Sequence, residues 1–343
     1  MSLECLFCHS ELTISQKPRK WSLHICSNCN NPLWSFTEGS KVILNPIPNY
    51  PDIRSLLHKG SIGAEIFSLL PSFIDSIPVM PQVSYRVIQL LQNPEVSLSD
   101  VVEVIKGDHG LAMTVLKVAN SAYYAGLQEV KDLTTACSRL GLRTLANVVQ
   151  LYTMQNVFKA EDEQLTNLLE RLWKHSIATA HASNDLATAV AQSRPEELFL
   201  AGLLHDIGYI ALLQILYQVN SSSFTQIISS DQLTYEVLLQ FHTLVSLYIF
   251  DKWELPDEFA LLAFSHHDPN LIPIDELKTP AHILCLANLL AIKEGYTFLT
   301  KGEDILFLQH PSTHYLNLND LKIASLRVDL TDKLQSIFSV FQV

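Results

Sequence analysis

From about residue 62 onward, apolar positions recur at three- and four-residue intervals almost without a break. That is the period of helices that bury one face. A first helix opens at Pro81, runs through Val83, Val87, Ile88, Leu90 and Leu91, and stops at Asn93-Pro94, as a proline start and a turn-forming stop dictate. Ser97-Leu-Ser-Asp100 has capping-box spacing ahead of Val101, Val104 and Ile105, with aspartate as the acidic member. Leu111, Val115, Leu116, Val118 and Ala119 continue the period, and Gly141 precedes a run through Leu145, Val148, Val149 and Tyr152. Further helices are predicted over 161–191, from Pro195 through His205, and over 233–251, 256–267 and 279–294, with a break at Ser221-Ser-Ser. Leu326, Leu330, Leu334 and Ile337 mark a last amphipathic helix. Two-residue alternation is confined to the first 40 residues, so the body is predicted all-α, preceded by a small zinc-ribbon-like β module.

The divisions predicted are a cysteine module at 1–40 and a Pro/Asn-rich linker at 41–61. A helical domain follows at 62–295, with subdomains of about 62–160 and 161–295, and a helical tail at 296–343. Hydrophobic residues make up 48% of the 343 and charged residues 17%, which is the composition of a folded chain with ample core. The net charge of −12 disfavours nucleic acid and anionic membrane surfaces, both of which repel an acidic chain. Lys17, Arg19 and Lys20 beside Trp21 are too few to make a nucleic-acid footprint. Leu198 to Val219 is apolar and long enough to span a bilayer, yet it carries His205, Asp206 and two glutamines. An aspartate in mid-span costs about 3 kcal/mol, so a buried core helix is expected there. No basic start followed by an apolar run opens the chain, and a cytoplasmic protein is expected.

Chemistry concentrates in two sets of residues. Cys5-x2-Cys8 and Cys26-x2-Cys29 have the spacing of a four-thiolate zinc site. Four sulfurs close the coordination shell, so the ion would be structural and would supply folding energy to a module with little core. Cys137 and Cys285 stand alone in apolar surroundings, as small core residues do. The second set is a series of histidines and an aspartate at His175, His205-Asp206, His242 and His266-His267, within or at the ends of predicted helices. Such side chains projecting inward from several helices can cage one or two divalent ions and ionise a water for attack on phosphorus. A buried Asp206 needs a partner, whether a metal, His205, His175 or a helix terminus. His310 and His314 flank Pro311, which opposes a regular helix through both, and they read as surface histidines.

Pro78-Val-Met-Pro81, Leu116-Lys-Val-Ala-Asn120-Ser-Ala-Tyr123 and Leu140-Gly-Leu-Arg143 together resemble the HDOD family, the HD-related output domains of bacterial signalling proteins. The resemblance covers about 65–295. It implies a helical fold similar to the HD phosphohydrolases, including the HD-GYP cyclic-dinucleotide phosphodiesterases. Their ligand order is matched by His175, His205, Asp206, His242, His266 and His267. Asn288 stands at the place of the final aspartate, Tyr209 at the place of a lysine, and Asp268-Pro-Asn where a Gly-Tyr-Pro loop would follow.

Asparagine keeps an oxygen donor but loses a charge, and tyrosine offers only a hydroxyl to a phosphate. The departures favour a non-catalytic output and protein-interaction domain, with zinc in the finger and iron, manganese or another divalent ion in the HD-like site. The partner implied is a signalling protein, and a homodimer is left open. The alternative implied is a metal-dependent phosphodiesterase acting on a cyclic dinucleotide or a nucleotide through His205, Asp206 and His242.

Overall fold

The structure is a computed structural model and describes residues 3–5, 8–12, 21–26, 28, 32–38, 41–46, 69, 80–91, 93, 95–160, 162–192, 194–219, 232–299 and 307–341. The N-terminal module is β, as the sequence leads one to expect. β1 (Leu3–Glu4) pairs antiparallel with β2 (Glu11–Leu12). β3 (Trp21–Ile25), β4 (Pro32–Glu38) and β5 (Lys41–Pro46) form an antiparallel sheet in that order, with Leu23 opposite Trp34 and Ser35 opposite Leu44. Cys29, the remainder of the linker after Pro46, residues 62–79 other than 69, and the serine run at 221–223 lie outside the described residues.

The body is all-α. Its helices are α1 (Gln82–Leu91), α2 (Leu98–Lys106), α3 (His109–Ala119), α4 (Leu133–Met154), α5 (Glu163–Ala189) and α6 (Pro195–Leu204). They continue as α7 (Gly208–Val219), α8 (Gln232–Lys252), α9 (Asp257–Ser265), α10 (Asp275–Lys293), α11 (Pro311–Tyr315) and α12 (Asp320–Phe341). The helix starts carry the caps that their sequences supply. Ser97 Oγ accepts from the Asp100 amide and Asp100 Oδ2 accepts from the Ser97 amide, which completes the capping box of α2. Asp108, Asp132 and Asp162 cap α3, α4 and α5. Gly141 takes φ +72° inside α4, a left-handed turn that glycine adopts without strain, and it divides that helix in two.

By their contacts the residues group into two discontinuous units. One contains Met1–Ile77 and Ile207–Asp275, the other Pro78–Asp206 and Glu276–Val343. In the second unit α5 and α6 form a tight pair. A Cβ on Gly202 would come within 2.8 Å of Ala180 Cα, the Thr179 carbonyl and Ser183 Oγ, so only glycine lets the two backbones meet. In the first unit α7 meets α8 still more closely. A Cβ on Gly208 would lie 1.9 Å from the His242 carbonyl, and the Gly208 amide donates to Ser246 Oγ, which donates in turn to that carbonyl. Pro195–Gln218 is long and apolar enough to cross a membrane, and 94% of its most apolar window is buried inside the protein, as expected of a core element.

The tail belongs to the second unit. α12 packs on α5 and α3 and buries Leu330, Leu334, Ile337 and Phe341. Lys333 Nζ donates to both carboxylate oxygens of Asp185 on α5, at 2.6 and 2.7 Å, with both side chains largely out of water. Ser336 Oγ accepts from the Tyr123 amide. His310 caps α11, with Pro311 at its first position, and is half-buried, whereas His314 is exposed. His282 on α10 adds a hydrogen bond between its Nδ1 and Ser312 Oγ and stacks on Tyr315.

Two substitutions test these contacts by urea unfolding. Gly208→Ala is expected to cost about 3 kcal/mol, the upper end for overpacking, because the atom it meets is backbone. Lys333→Ala strands a largely buried carboxylate and is expected to cost about 3–5 kcal/mol, most of it recovered in Lys333→Met/Asp185→Leu, which removes both charges.

Candidate metal centres

His175 sits in the middle of α5, buried to 3% exposure. Its Nδ1 is 2.8 Å from the Tyr296 carbonyl and, facing an oxygen acceptor, must carry the proton. The Arg171 guanidinium, one turn earlier, donates to the Phe298 carbonyl and holds the same strap in place. His205 follows the last turn of α6 and folds back so that Nδ1–H donates to the Gly202 carbonyl at 2.7 Å. That bond satisfies one of the orphan carbonyls of the helix end. Both rings therefore turn Nε2 inward, and the two nitrogens face each other at 3.3 Å. Asp206 Oδ2 completes a triangle, 3.2 Å from His205 Nε2 and 3.4 Å from His175 Nε2. His205 and His175, two of the partners considered for the buried aspartate, both lie within ion-pair distance of it.

The other unit repeats the device. His266 follows the last turn of α9 and donates Nδ1–H to the Ala263 carbonyl at 2.6 Å, and His242 within α8 donates to Leu238 at 3.2 Å. His242 Nε2 faces His267 Nε2 at 3.2 Å, and the His266 and His267 rings lie 3.9 Å apart. His242 and His266 are buried, whereas His267 is exposed. Tyr209 stacks on His242, with ring centroids 4.2 Å apart and planes 5° from parallel. The sequence flags Tyr209 only as a substitution for lysine. Its stacking partner lies 33 residues away, and nothing local in the sequence announces the pair.

The chemistry of each donor set fits a cation. Nitrogens and oxygens bound about 2.0–2.2 Å from one ion stand roughly 3–3.5 Å from each other, and the distances in the first triangle fall in that range. With each Nδ1 committed to a main-chain carbonyl, the Nε2 atoms of His175 and His205 and the Asp206 carboxylate are the atoms left to face an ion. A positive charge among them, whether a metal ion or a proton, offsets the cost of burying the carboxylate. In each set the three ligand atoms lie within 4.8 Å of one another.

Asn288, on α10, is buried to 4%, and its Oδ1 has no hydrogen-bond partner among the described residues. Elsewhere, burial lowers His181 well below the usual histidine range, helped by the Lys333 cation. Burial pushes the Cys137 thiol up to about 11, which keeps it protonated and inert.

The cysteines of the N-terminal module form a third set. The sulfurs of Cys5, Cys8 and Cys26 lie within 4.8 Å of one another, with Cys5 and Cys26 fully buried. Cys8 Sγ is 3.5 Å from Cys26 Sγ and Ser10 Oγ is 3.0 Å from Cys8 Sγ. Sulfurs about 2.3 Å from one tetrahedral zinc ion are roughly 3.8 Å apart, so the triad is close to a thiolate site. A turn with His9 at φ +58° and a Cys5–Ser10 main-chain bond aims Cys5 and Cys8 together. Cys29, the fourth ligand expected, is outside the described residues.

Comparison with known proteins places the fold. The family model for the HDOD domain matches residues 77–269. An uncharacterized protein of Treponema pallidum (strain Nichols) is 26% identical over 222 residues, which is 63% of this chain and 42% of the relative. The chain thus spans less than half the length of that curated relative. A crystal structure of an HDOD domain protein with unknown function from Geobacter sulfurreducens superposes with a TM-score of 0.63 at 20% identity, covering 82% of this chain and all of the other. A putative metal-dependent phosphohydrolase from Shewanella amazonensis SB2B gives 0.56 at 18% identity, over 81% of this chain and 99% of the other. At these identities the likeness is one of fold. The family match, by contrast, spans more than half of the residues, and the chain belongs to the HDOD domain family.

Proposed function

We propose that the chain is a non-catalytic signalling output module that captures a protein partner and holds divalent ions as fixed parts of its architecture. The observation that carries this reading is the pair of side-chain clusters, in which His175 and His205 in one and His242 and His267 in the other bring their Nε2 atoms within 3.3 Å of each other. His175, His205 and Asp206 would hold one ion, and His242, His266 and His267 another. Iron and manganese suit such mixed nitrogen and oxygen donors. A bound ion would supply Lewis acidity and a fixed positive charge.

What the chain's own residues do next argues against turnover. The position at which the hydrolase pattern carries lysine is occupied by Tyr209, which spends its ring on His242 and brings no cation to a phosphate. Asn288 stands where that pattern has an aspartate, and brings no charge to the site. The cysteine module would hold zinc through Cys5, Cys8, Cys26 and Cys29 and serve as a docking piece. The reading puts the chain in the cytoplasm, where thiols remain reduced. A second copy of the chain is one partner to be tried.

A second reading has one observation in its favour: the Shewanella amazonensis protein that shares the fold is described as a putative metal-dependent phosphohydrolase. Here the substrate would be a cyclic dinucleotide or a nucleotide, with His205, Asp206 and His242 at the reacting centre.

Elemental analysis of anaerobically purified protein separates the readings. One zinc, lost in Cys5→Ser/Cys8→Ser, is expected, with iron or manganese that survives that change and falls by one ion per chain in His205→Ala. Assay of the metal-loaded protein against a phosphoester panel is expected to give no turnover. A rate abolished by His205→Ala would establish the hydrolase instead.

Tyr209 gives a further test. A ligated imidazole is partly cationic, and an electron-rich face stabilises it. Tyr209→Leu is expected to weaken iron or manganese binding about tenfold, the lower end for an outer-shell partner, whereas Tyr209→Phe retains it. Competitive metal titration reads both.

A further inference from the structure

A pocket unrelated to the metal centres opens within the second unit, between the first half of α12 and the end of α5. Its volume is about 290 Å³, at the lower limit of cavities that enclose small molecules, roughly 300–1,000 Å³. Its floor is the Lys333–Asp185 ion pair. Two protons of Lys333 Nζ are committed to Asp185, the ammonium lies over the Tyr123 ring at 5.4 Å, and Asn184 also donates to Asp185. The floor is therefore satisfied internally and leaves recognition to the walls.

The walls carry one cation and one anion. Lys322 and Asp329 both line the pocket, and among the described residues neither makes an ion pair. Seven residues apart on one helix, they share a face and are offset by about 10 Å along the axis, too far to neutralise each other directly. Between them lies Ser325, and across from them Thr188, whose hydroxyl proton is given to the Asn184 carbonyl, so that its oxygen can only accept. Leu326 and the Tyr123 ring add apolar surface.

A simple anion or a simple cation engages one of the two charges and leaves the other unused. A ligand with an ammonium at one end and a carboxylate at the other satisfies both. We propose that this pocket binds a small zwitterion, a dipeptide or a free amino acid, with its ammonium at Asp329 and Thr188 and its carboxylate at Lys322 and Ser325. The site is independent of the metal groups and would give the module a small-molecule input. It exists only because the tail helix closes over α5.

Isothermal titration of the full chain with dipeptides, α-amino acids, their N-acetylated and amidated forms, inorganic phosphate and putrescine tests it. Saturable binding of a free dipeptide or amino acid is expected, weakened at least about tenfold when either end is blocked, the loss of one charge-assisted contact. Asp329→Asn and Lys322→Gln, both at exposed positions, are expected to produce a similar loss without changing the unfolding midpoint. Dipeptides binding more tightly than amino acids would identify the longer ligand, and the reverse order the shorter one. Absence of zwitterion binding at 10 mM (about 100-fold above a typical 0.1 mM affinity), equal binding of phosphate or putrescine, or binding indifferent to both substitutions would each overturn the proposal.

Discussion

A histidine ring can face either way, and what decides its direction here is the main chain. His175, His205, His242 and His266 each give a ring proton to a backbone carbonyl. For two of them, that carbonyl belongs to the preceding turn of the helix that ends beside them. The bond closes the helix and aims the opposite nitrogen in a single step. For His205 and His242 the aim depends on glycines. Gly202, which accepts the His205 proton, meets α5 at a distance no side chain allows, and Gly208 does the same against the carbonyl of His242. Enlarging either glycine would move a helix and with it a nitrogen of the site.

Much of this is legible in the sequence. The apolar period gives the helices, and the capping aspartates and Ser97 give several of their starts. The spacing of the cysteines and the order of the histidines name the residues that meet. The family resemblance rests on short proline, asparagine and Leu-Gly-Leu-Arg segments, and the HDOD match over 77–269 supports it.

What the sequence hides are partners distant along the chain. Tyr209 finds His242, His175 finds the carbonyl of Tyr296, and Lys333 finds Asp185 across 148 residues. None of these has a local signature, because a single tyrosine, backbone carbonyl or lysine is chemically ordinary until packing supplies its neighbour. The close approach at Gly202 and Gly208 is hidden for the same reason. A glycine in an apolar helix lowers helix propensity, and only the opposing backbone explains why it is there.

The carbonyl partners of the histidines have a consequence for how such a domain changes over time. A carbonyl is present whatever the residue that bears it, so substitutions at Ala263, Leu238 or Tyr296 leave the acceptor in place. Ring orientation is thus insulated from most point mutations, whereas Tyr209 acts through its own ring and is lost with it. A frame aimed by the main chain can therefore keep its geometry while the side chains around it are exchanged.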